Sequence, residues 1–291
     1  SKIFIVEADE YDKTFLKIKP NIASILNIDG DHYDIYNDID DINNSFKKFA
    51  NNLKKNGILF HNSTLNFNGI SFGEDSFAEA KIINKKNYND KLIFDIQYQN
   101  NVYKNIVLNM LGDHNAFNAM AAFIIAISLD IESEIIIKAL KTFPGIKRRF
   151  SVELKNPKIF IDDYAHHPSE IESIYNSVKS LYPNKKKLVI FQPHLFSRTR
   201  DFLREFAEAL EKFDKIALLD IYPAREKPIN GVSSKSIFDK INNKNKVLIE
   251  KSEIPELLFE DEHELVISMG AGDIGDLVET IKKTIIDQNE N

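Results

Sequence analysis

Ile3-Phe-Ile-Val-Glu-Ala-Asp-Glu-Tyr-Asp12 and Ile25-Leu-Asn-Ile-Asp-Gly-Asp-His-Tyr-Asp34 share one pattern, an apolar run of strand length that ends in acids. Strands buried in a parallel sheet read as nearly continuous Ile, Val, Leu and Phe, and ligands gather just past the carboxyl ends of such strands. The pattern predicts an α/β fold in which Glu7 and His32 close neighbouring strands within reach of one metal ion. A carboxylate, an imidazole and several nearby acids suit magnesium that also holds nucleotide phosphates. Acids after a strand are also ordinary solvated loop residues. Two strands ending alike within one βαβ-sized interval are what favour a site.

Composition narrows the class. The chain has 291 residues, 43% hydrophobic and 28% charged, enough for two ordinary domains with real cores. No apolar run approaches membrane-spanning length, and the start is too charged for a secretory leader. The absence of cysteine excludes disulfides, thiolate metal sites and a cysteine nucleophile, and suits the cytoplasm. A formal charge of −6 argues against broad nucleic-acid binding. An anionic substrate must be gripped by local Arg, His and backbone N–H groups.

A buried-type strand begins at once, with nothing before it to cover its faces, so part of the protein is expected upstream of Ser1. Ile42, Phe46, Phe49 and Leu53 form a helical stripe over 41–55, and Gly57 is placed to end it. Residues 58–110 alternate and carry the turn dipeptides Asn68-Gly69, Asn89-Asp90 and Asn100-Asn101, which predicts short antiparallel strands. Gly112-Asp-His-Asn-Ala-Phe-Asn-Ala-Met-Ala-Ala122 opens an Ala-rich helix to about Leu129, with Asp113 as its cap. Asn115 and Asn118, three apart on one face, can present amides to a planar ligand such as adenine; capping and helix packing are the alternative reading. A second helix spans roughly Ser133 to Thr142.

Phe143-Pro-Gly-Ile-Lys-Arg-Arg-Phe150 reads as the domain boundary, giving domains over 1–146 and 147–291. Beyond it, strands near Ile159–Ile161, Leu188–Phe191, Lys215–Asp220, Val247–Ile249 and Leu265–Ser268 alternate with helices, the pattern of a doubly wound, Rossmann-like α/β domain. Asp162-Asp-Tyr-Ala-His-His-Pro168, Gln192-Pro-His194, Asp220-Ile-Tyr-Pro-Ala-Arg225 and Met269-Gly-Ala-Gly-Asp273 follow four of these strands, hence one sheet edge. Gly270-Ala-Gly-Asp-Ile-Gly275 fits G-x-G-x-x-G but stands after the last strand, where no partner βαβ unit follows; a plain helix N-terminus is the better reading. Five of the seven histidines (His32, His114, His166, His167, His194) fall in these stretches. Adjacent His166 and His167 cannot both face one ligand, so one should orient the loop. His61 and His263 read as surface residues.

Taken together, Glu7-Ala-Asp-Glu-Tyr-Asp12, Asn27-Ile-Asp-Gly-Asp-His32, Gly112-Asp-His-Asn-Ala-Phe-Asn-Ala119, Gly145-Ile-Lys-Arg-Arg-Phe150, Asp162-Asp-Tyr-Ala-His-His-Pro168, Phe191-Gln-Pro-His194 and Leu218-Leu-Asp-Ile-Tyr-Pro223 resemble the Mur ligases. The match is ordered and covers nearly the whole chain. The resemblance implies a central ATPase domain, with a mixed sheet and helices, followed by a Rossmann-like amino-acid domain. It implies ATP and Mg2+ as cofactors and an acyl-phosphate route to a new amide bond in peptidoglycan synthesis. The motifs are nearest to the members that take UDP-N-acetylmuramate and L-alanine. Glu7 and His32 are then the magnesium ligands, and Asn115 and Asn118 face the adenine end. Arg149 and Asp163 stand at the ribose and phosphates, with Tyr164 beside the base. His166, His194 and Arg198 gather at the γ-phosphate and the amino-acid carboxylate.

Two departures matter. Most relatives carry Arg where this chain has Leu195, so Arg198 or Arg200 is expected to supply that charge. Neither the G-x-x-x-x-G-K-[ST] loop nor the UDP-sugar-binding domain that the resemblance implies lies within residues 1–291. A chain without that phosphate cradle is expected to be inactive alone, with the missing N-terminal portion as a partner. The alternatives are a related recycling ligase that attaches a whole peptide to the same sugar nucleotide, and a non-catalytic nucleotide-binding remnant. The Gln192–Thr199 stretch speaks against the first, and retention of the acid, imidazole and amide residues speaks against the second.

Overall fold

Short apolar strands and amphipathic helices sort into two units, Ser1–Phe143 and Pro144–Asn291. The computed structural model describes residues 3–30, 35–88, 91–260 and 262–290. In the first unit the strands are β1 (Ile22–Ile25), β2 (Ile58–Asn62), β3 (Ile70–Gly73), β4 (Ala80–Tyr88), β5 (Lys91–Tyr98) and β6 (Asn101–Leu108). The helices are α1 (Ile39–Asn51), α2 (Asp113–Ser128) and α3 (Ser133–Thr142). Among the described residues the sheet runs β1-β2-β3-β4-β5-β6. β1 to β4 are parallel and β4 to β6 antiparallel.

The helix over 41–55 forms two residues early and stops early. The Asp38 side chain accepts from Asp41 N at 2.8 Å and caps it, and Gly57 belongs instead to a turn closed on Lys54 O. Its buried Phe49 packs with Phe15, Ala23, Ile25 and Leu59. The larger core lies under α2, where Ala116, Ala119, Met120 and Phe123 meet Phe60, Phe72, Phe94 and Ile106. Small Ala side chains let the helix lie close to the sheet.

Three expectations change here. Ile3–Val6 forms no strand: Phe4 and Ile5 are each 90% exposed. A strand needs a ladder partner, and no described strand offers one to this stretch, so Glu7 closes no strand. His32 lies outside the described residues. The 58–110 region is only half antiparallel, because β2 and β3 extend the parallel sheet from β1. Alternation marks extended chain without fixing the direction of its neighbour. The hairpin β5–β6 turns at Gln99-Asn100, both at positive φ, one residue ahead of the expected dipeptide.

The second unit comprises β7 (Ser151–Leu154), β8 (Ile159–Asp163), α4 (Pro168–Leu181), β9 (Lys187–Phe191), α5 (Phe196–Asp201), α6 (Leu203–Leu210) and β10 (Lys215–Leu218). It continues with α7 (Ser234–Lys240), β11 (Lys246–Leu248), α8 (Ile254–Glu260), β12 (Leu265–Met269) and α9 (Val278–Glu290). The sheet order is β11-β10-β9-β12-β8-β7. β8 to β12 are parallel, and β7 pairs antiparallel with β8. Every residue of β8, β9 and β12 is buried, which is why these strands read as apolar runs. All five expected strands form. β7 escaped the reading because Ser-Val-Glu-Leu is a half-buried edge with no clear period. No helix of the described residues is long and apolar enough to cross a membrane.

Candidate functional site

The parallel strands of the second unit deliver their carboxyl ends to one edge, and the polar loops meet there. Asp162 and Asp163 end β8. Asp162 Oδ1 accepts from Ser268 Oγ on β12 at 2.6 Å, and its Oδ2 accepts from Arg148 Nε at 3.1 Å. Burial pushes the Asp162 carboxyl up, while Ser268 and Arg148 pull it back. Asp163 Oδ2 accepts from Phe150 N at 2.6 Å and Oδ1 from Ala165 N at 2.7 Å. Burial outweighs these two bonds and raises its pKa to about 6.

Arg148 is the residue that sequence reasoning missed. Besides Asp162 it donates to the carbonyls of Gly270 and Gly272, and its guanidinium lies 5.1 Å from the centre of the Tyr164 ring. Its own carbonyl accepts from Tyr164 N at 2.7 Å. A Cβ on Gly275 would run into this guanidinium, and one on Gly272 into Gln192 Oε1 and Tyr222. The glycines of the G-x-G-x-x-G match thus receive side chains of this chain. Gln192 completes the seam, donating to Asp273 Oδ1 at 2.8 Å and accepting from Ile274 N at 3.0 Å. The signal available in the sequence was only that two arginines stand together. Arg149, the one singled out, is half exposed, 5.6 Å from the Tyr164 ring and 3.9 Å from Glu170.

The histidines divide as expected. His167 caps α4, its Nδ1 2.9 Å from Ser169 Oγ, and its ring meets Phe202 edge-on. His166 turns the other way, its ring centre 5.3 Å from that of Tyr164 and 5.8 Å from that of His194. Backbone bonds from Tyr222 N to Pro193 O and from Leu195 N to Tyr222 O extend the β9–β10 pairing past the strands. They set His194 and Tyr222 side by side, rings stacked at 5.8 Å and 19°. Leu195 then turns the chain into α5 with φ 71° while fully packed, a conformation costly for a branched residue.

Of the two arginines offered for the charge absent at Leu195, Arg198 is buried, with Nη1 3.2 Å from His194 Nδ1. Arg200 is exposed and paired with Asp201 at 2.7 Å. Burial, then the positive charge of Arg198, lowers the His194 pKa to about 4, so this imidazole is neutral near pH 7.

In the first unit, Asn115 and Asn118 do not present alike. Asn115 is buried and donates to Leu111 O at 2.6 Å, whereas Asn118 is exposed. Gly112, at φ 99°, rather than Asp113 holds the cap position, where a Cβ would meet the His114 ring. Asp113 is ion-paired with Lys85 at 2.9 Å. Glu7 is exposed. Among the described residues no group of three His, Asp or Glu side chains is placed to hold a metal; His32, the other expected magnesium ligand, lies outside them. His61, expected at the surface, is 4% exposed, with Nδ1 2.9 Å from Asn62 O.

Two family descriptions match this chain: Mur ligase middle domain over residues 1–126 and Mur ligase, glutamate ligase domain over residues 148–273. The UDP-N-acetylmuramate–L-alanine ligase of Christiangramia forsetii is 46% identical over 286 residues, covering 98% of this chain and 63% of that protein. The chain therefore spans under two thirds of the curated relatives it matches. The UDP-N-acetylmuramate–alanine ligase of Thermotoga maritima superposes with a TM-score of 0.73 at 26% identity, covering 96% of this chain and 62% of that one. The MurF ligase of Thermotoga maritima, solved in complex with ADP, gives 0.69 at 16% identity over 94% of this chain and 63% of that one, which is a likeness of fold.

Proposed function

From the premise that the chain belongs to the Mur ligase family, as a middle domain followed by a C-terminal domain, we propose that it is the greater part of an ATP-dependent ligase joining L-alanine to UDP-N-acetylmuramate. Residues 1–146 are the distal part of its ATP-binding domain, and residues 147–291 its amino-acid domain. The observation that carries this reading is the gathering of His166, His194 and Arg198 between Tyr164 and Tyr222 at one sheet edge. A buried guanidinium beside a neutral imidazole suits a small anion such as an amino-acid carboxylate or a phosphoryl oxygen.

In the reaction, the muramate carboxylate takes the γ-phosphoryl group of ATP, and the alanine amine displaces phosphate from the acyl phosphate. The protein's part is positioning and charge neutralisation. Arg198 and His194 hold the anionic groups. Arg149, Asp163 and Tyr164 are assigned to the nucleotide, with Asn118 and Asn115 at its base. Glu7 and His32 are assigned to magnesium, which neutralises phosphate charge when bound. Among the described residues no further carboxylates or imidazoles gather to complete that set. ATP and a UDP-sugar as substrates place the reaction in the cytoplasm.

Without a G-x-x-x-x-G-K-[ST] loop in its sequence, the 291-residue chain is inactive by itself. The test is a fusion of these residues behind the N-terminal part of the Christiangramia forsetii ligase. Phosphate release that requires both L-alanine and UDP-N-acetylmuramate is expected from the fusion and not from the chain alone. Release from the chain alone above an Arg198→Ala control would overturn the inactivity, and a fusion that prefers a tripeptide to L-alanine would overturn the substrate.

A further inference from the structure

The two imidazoles at the sheet edge are anchored through chemically opposite partners. His166 Nδ1 lies 3.0 Å from Tyr164 O and 3.4 Å from Glu170 Oε2. A carbonyl and a carboxylate only accept, so the proton of His166 belongs on Nδ1. His194 Nδ1 lies 3.2 Å from Arg198 Nη1, and a guanidinium only donates, so this Nδ1 must hold the lone pair and the proton belongs on Nε2.

We propose that these anchors lock the pair in opposite tautomers, making His166 Nε2 the base that receives a proton from the incoming amine and His194 Nε2–H a donor to an anionic oxygen. Arg198 is the positioning residue that sets the second tautomer. The division rests on the ligase reading for its substrate, but the tautomers themselves follow from the anchors alone.

The proton balance is simple. The amino acid arrives as an ammonium with three protons. One passes to His166 Nε2, and its bonding pair stays on nitrogen. That pair forms the bond to the acyl carbon, and the bond from that carbon to the phosphate oxygen breaks with its electrons leaving on phosphate. A second proton leaves nitrogen with the departing phosphate, and the amide keeps the third. His166 becomes an imidazolium beside Glu170, whose carboxylate offsets the new charge. His194 cannot do the same work at Nε2, which already carries its proton. Among the described residues, Arg198 and Arg225, and His166 once it is protonated, oppose protonation of His194, and Glu226 favours it.

The test is a long-range proton–nitrogen correlation spectrum of the 15N-histidine-labelled chain near neutral pH. The unprotonated nitrogen is expected to be Nε2 in His166 and Nδ1 in His194. Arg198→Met should mix or reverse the His194 tautomer and leave His166 unchanged, whereas Arg198→Lys, which keeps a donor, should preserve it. An unprotonated Nε2 on His194, two protonated nitrogens on His166, or a His194 tautomer indifferent to Arg198→Met in a chain whose other resonances persist would overturn the proposal. In the fusion enzyme, His166→Gln should lower kcat at least tenfold, and His194→Gln, which keeps an N–H, should chiefly raise KM for L-alanine. The reverse split would sink the division of roles even with the tautomers as stated, and a fusion without ligase activity would sink the substrate reading while leaving the tautomers testable.

Discussion

Arg148 Nε lies 3.1 Å from Asp162 Oδ2, and the carboxylate at the far end of that bond is among the most deeply buried charges in the chain. The pair ties the turn after the domain boundary to the end of β8, while the same guanidinium holds the Gly270 and Gly272 carbonyls. Removing the cation alone leaves a buried carboxylate with only Ser268 as partner. Arg148→Met is therefore expected to cost about 3–5 kcal/mol in urea unfolding. Arg148→Met with Asp162→Asn should recover most of the loss, because a neutral amide still accepts from Ser268. A double variant no more stable than the single would mean that the carbonyl contacts, and not the charge, are what matter.

Asp163 and His194 act in opposite senses over one acid window. The Asp163 pKa is raised from 3.8 to about 6, so the folded state binds its proton more readily. Its stabilising contribution is present below about pH 4 and is lost as pH rises through about 6. The His194 pKa falls from 6.5 to about 4, so its contribution is present above about pH 6.5 and is lost as pH falls towards about 4. Stability measured by urea unfolding across this window should be flatter than either group alone would make it. Asp163→Asn is expected to steepen the acid loss, and His194→Gln to reverse its sign. Parallel pH profiles for the three proteins would contradict the shifts.

How much of this was legible beforehand follows from burial. Strands such as β8, β9 and β12 are buried on both faces and write themselves as apolar runs, and the polar residues after them mark a sheet edge without ambiguity. Ser151–Leu154 pairs at an edge and carries no such signature. Ile3–Val6 shows the converse error, because composition reports what a segment wants to bury and not whether a partner strand is at hand. At the sheet edge, His166 and His194 stood out as rare residues just past strand ends, whereas Arg198 came only with the family resemblance; the fold brings the three side by side. Arg148 was passed over for Arg149, since neighbours of one type differ only in where their side chains end. His61 was dismissed for standing outside every motif, although β2 carries it into the interior.

Lys85 offers a test within the first unit. Its ammonium bridges Glu74 Oε1 and Asp113 Oδ1, the latter at 2.9 Å, and so ties β4 to the first turn of α2. Exposed pairs contribute little, about 0–1 kcal/mol, and Asp113 is largely solvated. Lys85→Met should therefore shift the unfolding midpoint only slightly. Its larger effect is expected as faster amide exchange over residues 113–117, where the helix loses a tether at its start. Unchanged exchange there would show that Gly112 and the packing of Ala116 define that end without help.

The asparagines of α2 need to be tested separately, because the fold gives them different work. Asn115 donates to Leu111 O from a buried position, and Asn115→Ala leaves that carbonyl unpaired, an expected loss of about 1–3 kcal/mol. A fall in nucleotide affinity on this substitution would confuse folding with binding. Asn118 stands exposed on the same helix, where truncation should change stability by less than about 0.5 kcal/mol. In the fusion enzyme, titration with Mg-ATP should show Asn118→Ala weakening binding at least fivefold with an unchanged unfolding curve. Equal affinity would remove Asn118 from the adenine contact, and the nucleotide assignment in this helix would then rest on Asn115 Oδ1 alone.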